Sequence, residues 1–275
     1  MNISDAGAPD RGLAPTILPL KQSDGPGNVF FLPDVGGNVF YAKKIVSQLV
    51  SGCGVYAMRL DSELLENLPG CTIQGLAHRF AADLNASVFT GPLHLIGHSF
   101  AGFLAFETAR RVVELGAYVG SITLLDCAVP DRFRSGWYYQ TAGDLYQIKN
   151  WLRDLLKKTA FADSNDDPSM LLSEPGFIRM DLTKHPEPYR YIIRHLYRAM
   201  VDYEPGLYSG NLTLFQATDQ LLFGVPKDFG WGTYTKGRVD VIRITGDHLE
   251  MVRDDRATKE VAKSLDRILA AASCA

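Results

Sequence analysis

The sequence predicts an α/β fold: a mostly parallel central sheet, helices on both faces and one helical insertion. Three observations predict it. Short apolar runs of strand type alternate with segments of helical periodicity from residue 28 to residue 125. A Gly-His-Ser turn at residues 97–99 joins one of those strands directly to a helix. The alternation then stops near residue 128 and resumes at residue 211, too long an excursion for a plain loop.

The elements follow in order. Residues 1–15 are rich in Gly, Pro, Asp and Asn and read as a flexible arm, with one domain over residues 16–275. Residues 28–32 form a short buried strand, and Gly36 and Gly37 mark a tight loop over 33–37. Residues 39–49 are helix-like, with Val39, Ile45 and Leu49 facing inward. A second strand spans 54–60. Ile73, Leu76, Phe80 and Leu84 put a helix at 72–85. The third strand, 93–96, runs into the Ser99 turn, a helix follows over 100–115, and a fourth strand occupies 118–125. Residues 128–208 hold no clear strand but two helical patterns. The first is Leu145, Ile148, Trp151, Leu152 and Leu155; the second is Tyr189, Ile192, Leu196 and Met200. This insertion reads as a lid or as a structural subdomain. Strands at 211–216 and 239–244 and an amphipathic helix at 258–272 complete the chain.

Composition narrows the function classes. The chain has 275 residues, 46% hydrophobic and 21% charged, so it can bury a large core. A net charge of −3 offers no basic face for nucleic acid. No run of about 18 apolar residues exists, so no membrane span is expected. Cys53, Cys71, Cys127 and Cys274 fit neither a zinc site nor a dense disulfide framework. Residues 1–12 are polar and lack the apolar core of a signal peptide, so the expected location is the cytoplasm.

The chemistry centres on Ser99. A serine hydroxyl attacks only when a base takes its proton. In the α/β-hydrolase fold the nucleophile sits on a strained strand-to-helix turn whose crowding demands small neighbours. Gly97 and Ala101 flank Ser99 at the two critical offsets, with alanine in place of the commoner glycine, and Gly102 lies beyond. The base must follow in chain order. His78 lies on a helix, His94 in a strand, and His185 and His195 in the insertion. His98 adjoins the serine, where a side chain points away from the apex of the turn. That leaves His248, in a Gly-containing loop after the last strand. The acid that orients it ends an intermediate strand, and both Asp126 and Asp219 do so; Asp247, next to His248, is badly placed. Two backbone N–H groups form the oxyanion hole. One belongs to Phe100, the other to Asp34 or Val35 in the 33–37 loop.

Pieces spread over most of the chain resemble the thioesterase domains of nonribosomal peptide and polyketide synthases. They are Pro15-Thr-Ile-Leu-Pro-Leu20, Phe31-Leu-Pro-Asp-Val-Gly-Gly37, Gly97-His-Ser-Phe-Ala-Gly-Phe-Leu-Ala-Phe-Glu107, Leu124-Leu-Asp-Cys-Ala-Val-Pro130, Tyr203-Glu-Pro205, Leu212-Thr-Leu-Phe-Gln-Ala217 and Gly246-Asp-His-Leu-Glu-Met251. Leu32 departs from the histidine that many relatives carry before the loop proline. The resemblance implies Asp126 as the acid, because release-type thioesterases place it in a Leu-Leu-Asp motif; stand-alone editing (type II) thioesterases place it near Asp219. It implies an acyl or peptidyl chain delivered on the phosphopantetheine arm of a carrier protein, with no cofactor or metal bound. Ser99 takes the chain, and water or an internal nucleophile releases it as an acid or a macrocycle. The lid over 128–208, with Phe133, Trp137, Tyr138, Tyr139 and Trp151, either lines an apolar pocket or packs the subdomain. A lipase-like serine esterase shares the same residues. A non-catalytic binding module would not need all of them.

Overall fold

The structure, a computed structural model, describes residues 13–23, 25, 27–87, 89–129, 185–219 and 226–272. Residues 1–12 of the expected arm, the expected helix through Leu145 and Leu155, and the aromatic residues of the insertion named above lie outside the described residues.

Seven strands among the described residues form one sheet in the order β1-β3-β2-β4-β5-β6-β7. They are β1 (Ile17–Lys21), β2 (Asn28–Phe31), β3 (Gly54–Met58), β4 (Leu93–His98), β5 (Val119–Leu125), β6 (Leu212–Ala217) and β7 (Val239–Ile244). All neighbours pair in parallel except β1, which runs antiparallel to β3 at the edge. The reading of the sequence missed β1. Pro19 interrupts it, Leu18 and Leu20 are exposed, and a proline is tolerated only because the strand is at an edge. Leu13 and Ala14, expected in the arm, instead pack against the core.

Parallel strands buried on both faces need apolar residues at every position rather than at alternate ones. β2 meets this: Phe30 belongs to one hydrophobic cluster, while Val29 and Phe31 belong to the other. The first cluster is covered by α3 (Ile73–Ala86) and α4 (Phe100–Glu114), the second by α1 (Lys43–Gln48) and α7 (Asp255–Ala272). Helix α3 starts where Thr72 accepts a hydrogen bond from the Gly75 N–H at 3.0 Å, which satisfies one of the free donors of its first turn. Its expected inward residues, Ile73, Leu76, Phe80 and Leu84, are all buried. The single helix expected over 39–49 is a 3-10 turn, Phe40–Ala42, followed by α1; Val39 is only half-buried. Two short helices escaped periodicity: α2 (Ser62–Glu66) and α6 (Glu250–Arg253).

From the insertion the described helix is α5 (Glu187–Val201), with Ile193 and Leu196 fully buried. The chain after it is pinned to α4. Glu107, 1% exposed, pairs with Arg110 at 2.8 Å and Arg111 at 3.1 Å. The Tyr203 hydroxyl donates to the same carboxylate at 3.1 Å. Among the described residues no helix is long and apolar enough to cross a membrane.

Candidate active site

The carboxyl ends of β2, β4, β5 and β7 carry the residues of interest, the edge at which open α/β sheets bind ligands. β4 ends at His98 and α4 begins at Phe100, so Ser99 alone makes the turn. It does so at φ 52° and ψ −120°. For a residue with a side chain such a conformation costs about 1–3 kcal/mol and persists only where the surroundings impose it. Here the Ser99 N–H donates to the Leu125 carbonyl of β5 at 2.9 Å, and the Ser99 carbonyl accepts from the Gly102 N–H at 2.9 Å. The crowding expected from the sequence is present. A side chain at Gly97 would strike the main chain of Ala101, and one at Gly102 would meet the Cys127 Cβ at 2.7 Å. Ala101 is fully buried and fits. The first N–H groups of α4, beginning with Phe100, point out at the turn with the positive end of the helix dipole behind them.

Asp126 follows β5 directly, at φ 46°. Its main chain is held by a 2.7 Å bond from its N–H to the Phe215 carbonyl of β6. One carboxylate oxygen, Oδ1, accepts from the Ala217 N–H at 3.0 Å, and Oδ2 lies 2.8 Å from His248 Nδ1. The carboxylate is 6% exposed and the imidazole 30%. A carboxylate only accepts, so Nδ1 carries the proton and Nε2 is left to take one.

Asp219 is placed differently. It is exposed, its carboxylate accepts from the Thr218 hydroxyl at 3.1 Å, and its N–H donates to the Gly246 carbonyl at 3.0 Å. Its main chain therefore braces the loop that holds His248. Asp247, beside His248, caps α6 through bonds from the Leu249 and Glu250 N–H groups, each 2.8 Å.

The 33–37 loop folds around Asp34. Its Oδ1 accepts from Gly36 at 2.9 Å and Asn38 at 3.3 Å. Burial pushes the Asp34 carboxyl up to about 6, against the lowering effect of those two bonds. The Asp34 N–H donates to the Asn38 carbonyl at 2.8 Å. Tyr41 fixes the base of the loop by donating to the Leu32 carbonyl at 2.8 Å. Helix α5 lies on the loop. A Cβ at Gly36 would sit 2.7 Å from the Tyr189 ring, and one at Gly37 3.2 Å from Ile192.

The sequence passed over His98, whose Nε2 lies 2.8 Å from the His248 carbonyl oxygen. Nothing in its spacing marks that contact; only its position between β4 and Ser99 hints at it. Among the described residues no group of three His, Cys, Asp or Glu is placed to hold a metal ion.

Known proteins resemble this chain in sequence and in fold. A region of norsolorinic acid synthase from Dothistroma septosporum is 29% identical over 114 residues, 42% of this chain and 5% of that protein. Non-reducing polyketide synthase PKS16 from Cladonia grayi is 32% identical over 116 residues, again 42% and 5%. The chain thus spans only about a twentieth of the length of these curated relatives. Among solved structures, the Vlm2 thioesterase domain superposes with a TM-score of 0.58 at 20% identity, covering 92% of this chain and 96% of that one. YbtT, a type II thioesterase from the yersiniabactin NRPS/PKS pathway, gives 0.62 at 17% identity, covering 94% and 99%. These likenesses establish a shared α/β-hydrolase fold. Residues 28–269 match the thioesterase domain family along their whole length, from β2 into α7, and the chain belongs to that family.

Proposed function

We propose that the chain takes an acyl or peptidyl group from the phosphopantetheine thioester of a carrier protein onto Ser99 and releases it by hydrolysis or macrocyclisation. The observation that carries this reading is the Asp126–His248 contact of 2.8 Å, beside a serine held at positive φ. Asp126 keeps the imidazole in the tautomer whose Nε2 accepts the Ser99 proton, and it stabilises the imidazolium that forms. The Ser99 oxygen attacks the thioester carbonyl, and the N–H groups of Phe100 and Val35 receive the developing negative charge. The tetrahedral intermediate expels the phosphopantetheine thiol, which takes the proton from His248. Water, or an amine or hydroxyl of the bound chain, then repeats the sequence on the acyl-enzyme.

Several features support the finer points. The acid on Asp126 matches the Leu-Leu-Asp pattern of release-type thioesterases, whereas the Asp219 carboxylate is turned to Thr218. The contact of α5 with the oxyanion loop suits a lid role for the 128–208 insertion. The synthase context of the relatives supports a carrier protein as the partner.

The test compares a carrier-bound acyl thioester with a simple oxygen ester, using wild type and Ser99→Ala. Preference for the carrier-bound thioester, lost in Ser99→Ala, is the expected result. Equal or better turnover of the oxygen ester would make the chain a general esterase.

A further inference from the structure

His98 ends β4 and precedes Ser99 in the chain. Its side chain leaves the turn away from the apex, as the sequence implies, and reaches the loop of the candidate base. Its ring centroid is 4.5 Å from that of His248 and 5.7 Å from that of Tyr41, the residue that ties down the oxyanion loop. A carbonyl oxygen only accepts, so His98 Nε2 carries a proton and donates to the His248 main chain.

The side chain of His248 can be no better placed than its backbone. The residues around it are braced: Gly246 to Thr218, and Asp247 to the first turn of α6. The tie from the His248 carbonyl itself runs to His98. We propose that His98 is a positioning residue for acyl transfer, setting the separation between His248 and Ser99 through its hydrogen bond to the His248 carbonyl. From nucleophile to base the path is then one peptide bond, one side chain and one hydrogen bond. The proposal rests on His248 being the base.

The charge state of His98 fits the role. Burial pushes its pKa down to about 3; His248 and Arg253 push the same way, while Asp126 and the carbonyl bond oppose them. The ring is therefore neutral around neutral pH. A second cation there would oppose formation of the His248 imidazolium, so a neutral donor is the form that can lie against it.

The experiment uses the full chain with His98→Leu, which fills space without a donor, and His98→Gln, whose amide N–H replaces Nε2–H. Phosphonylation of Ser99 by an alkyl fluorophosphonate and turnover of a small acyl thioester are measured, with thermal melting as the control for folding. His98→Leu should slow phosphonylation and kcat by about 10–100-fold, with KM within about twofold, as expected for misplacement of a base. His98→Gln should remain within about threefold of wild type. In a His248→Ala background His98→Leu should cost nothing more, because the residue acts through His248. If His98→Leu does not fold, His98→Asn replaces it; its shorter amide falls short of the carbonyl, and it should be as slow. A wild-type rate in His98→Leu, or in His98→Asn where it stands in, overturns the proposal. So do equal losses in His98→Leu and His98→Gln, or a further loss in the His248→Ala background. Wild-type activity in His248→Ala alone would instead overturn the assignment of the base.

Discussion

Asp126 Oδ2 and His248 Nδ1 lie 2.8 Å apart although 122 positions separate the two residues in the chain. The strands that carry them, β5 and β7, are not neighbours. β6 lies between them, and its last residue, Ala217, donates its N–H to the other oxygen of the same carboxylate. The carboxylate therefore spans β6 and joins both flanks of the sheet at the site.

Asp126→Asn keeps the shape of the side chain but favours the wrong imidazole tautomer. It should lower kcat on an acyl thioester by about 10⁴-fold. Asp219→Ala, at an exposed position, should stay within about threefold. Steady-state kinetics on the two variants check this, and the opposite ranking would move the acid to the end of β6.

Gly36 accommodates the Tyr189 ring, so Gly36→Ala should push α5 and the 33–37 loop apart. A displacement of about 1 Å at such a loop costs roughly a hundredfold in rate. Activity should fall by about that amount in Gly36→Ala and recover in part in Gly36→Ala with Tyr189→Ala. Kinetics of the two single variants and the double variant give the coupling directly. A Gly36→Ala enzyme with normal kcat would mean that α5 does not rest on the loop during turnover.

Asp34 links stability to pH. Its carboxyl titrates near 3.8 when unperturbed and near about 6 in the fold. Between those values the folded chain binds the proton that the unfolded chain has lost, so this group's contribution to stability falls as pH rises through the window. Above it the fold carries a half-buried carboxylate. Asp34→Asn removes that charge and keeps an acceptor for Gly36 and Asn38. Its melting temperature should exceed wild type by about 2–6 °C at roughly pH 8. The gain should shrink to nothing by about pH 4. Melting curves across that range test it, and a gain independent of pH would point to another cause.

Glu107 is a buried anion satisfied by two arginines and a tyrosine. Glu107→Ala removes the buried end of this network while Arg110 and Arg111 keep Glu114, at 3.7 and 2.9 Å; it should cost about 2–3 kcal/mol in urea unfolding. Tyr203→Phe removes a single bond and should cost about 1–2 kcal/mol. Similar small losses in both would mean that the arginines find solvent when Glu107 is removed.

What the sequence made legible depended on how locally each feature is encoded. The serine turn is readable because its steric demands fall on Gly97, Ala101 and Gly102, all within three residues. The central strands are readable because burial on both faces leaves continuous apolar runs. β1 was invisible because an edge strand tolerates Pro19 and exposed leucines. Which of Asp126 and Asp219 meets His248 could not be read from strand ends, since both follow adjacent strands. It turns on backbone direction: Asp126, at φ 46°, directs its carboxylate to Ala217 and His248, while Asp219 keeps to Thr218. His98 escaped notice for a related reason, since its partner is a main-chain oxygen 150 positions away.

The points where the chain leaves and rejoins the sheet around the insertion are both clamped. On the way out, the Cys127 carbonyl accepts from the Trp231 indole at 2.7 Å, and the Val129 N–H donates to the Phe229 carbonyl at 3.1 Å. On the return, Tyr203 is bound to Glu107, and the Tyr208 N–H donates to the Tyr234 carbonyl at 2.9 Å. Every residue in these bonds lies outside 130–202. The scaffold thus holds both ends of the insertion by itself, so a different stretch grafted between Val129 and Tyr203 would inherit anchored ends but would have to replace the packing of Tyr189 and Ile192 against Gly36 and Gly37.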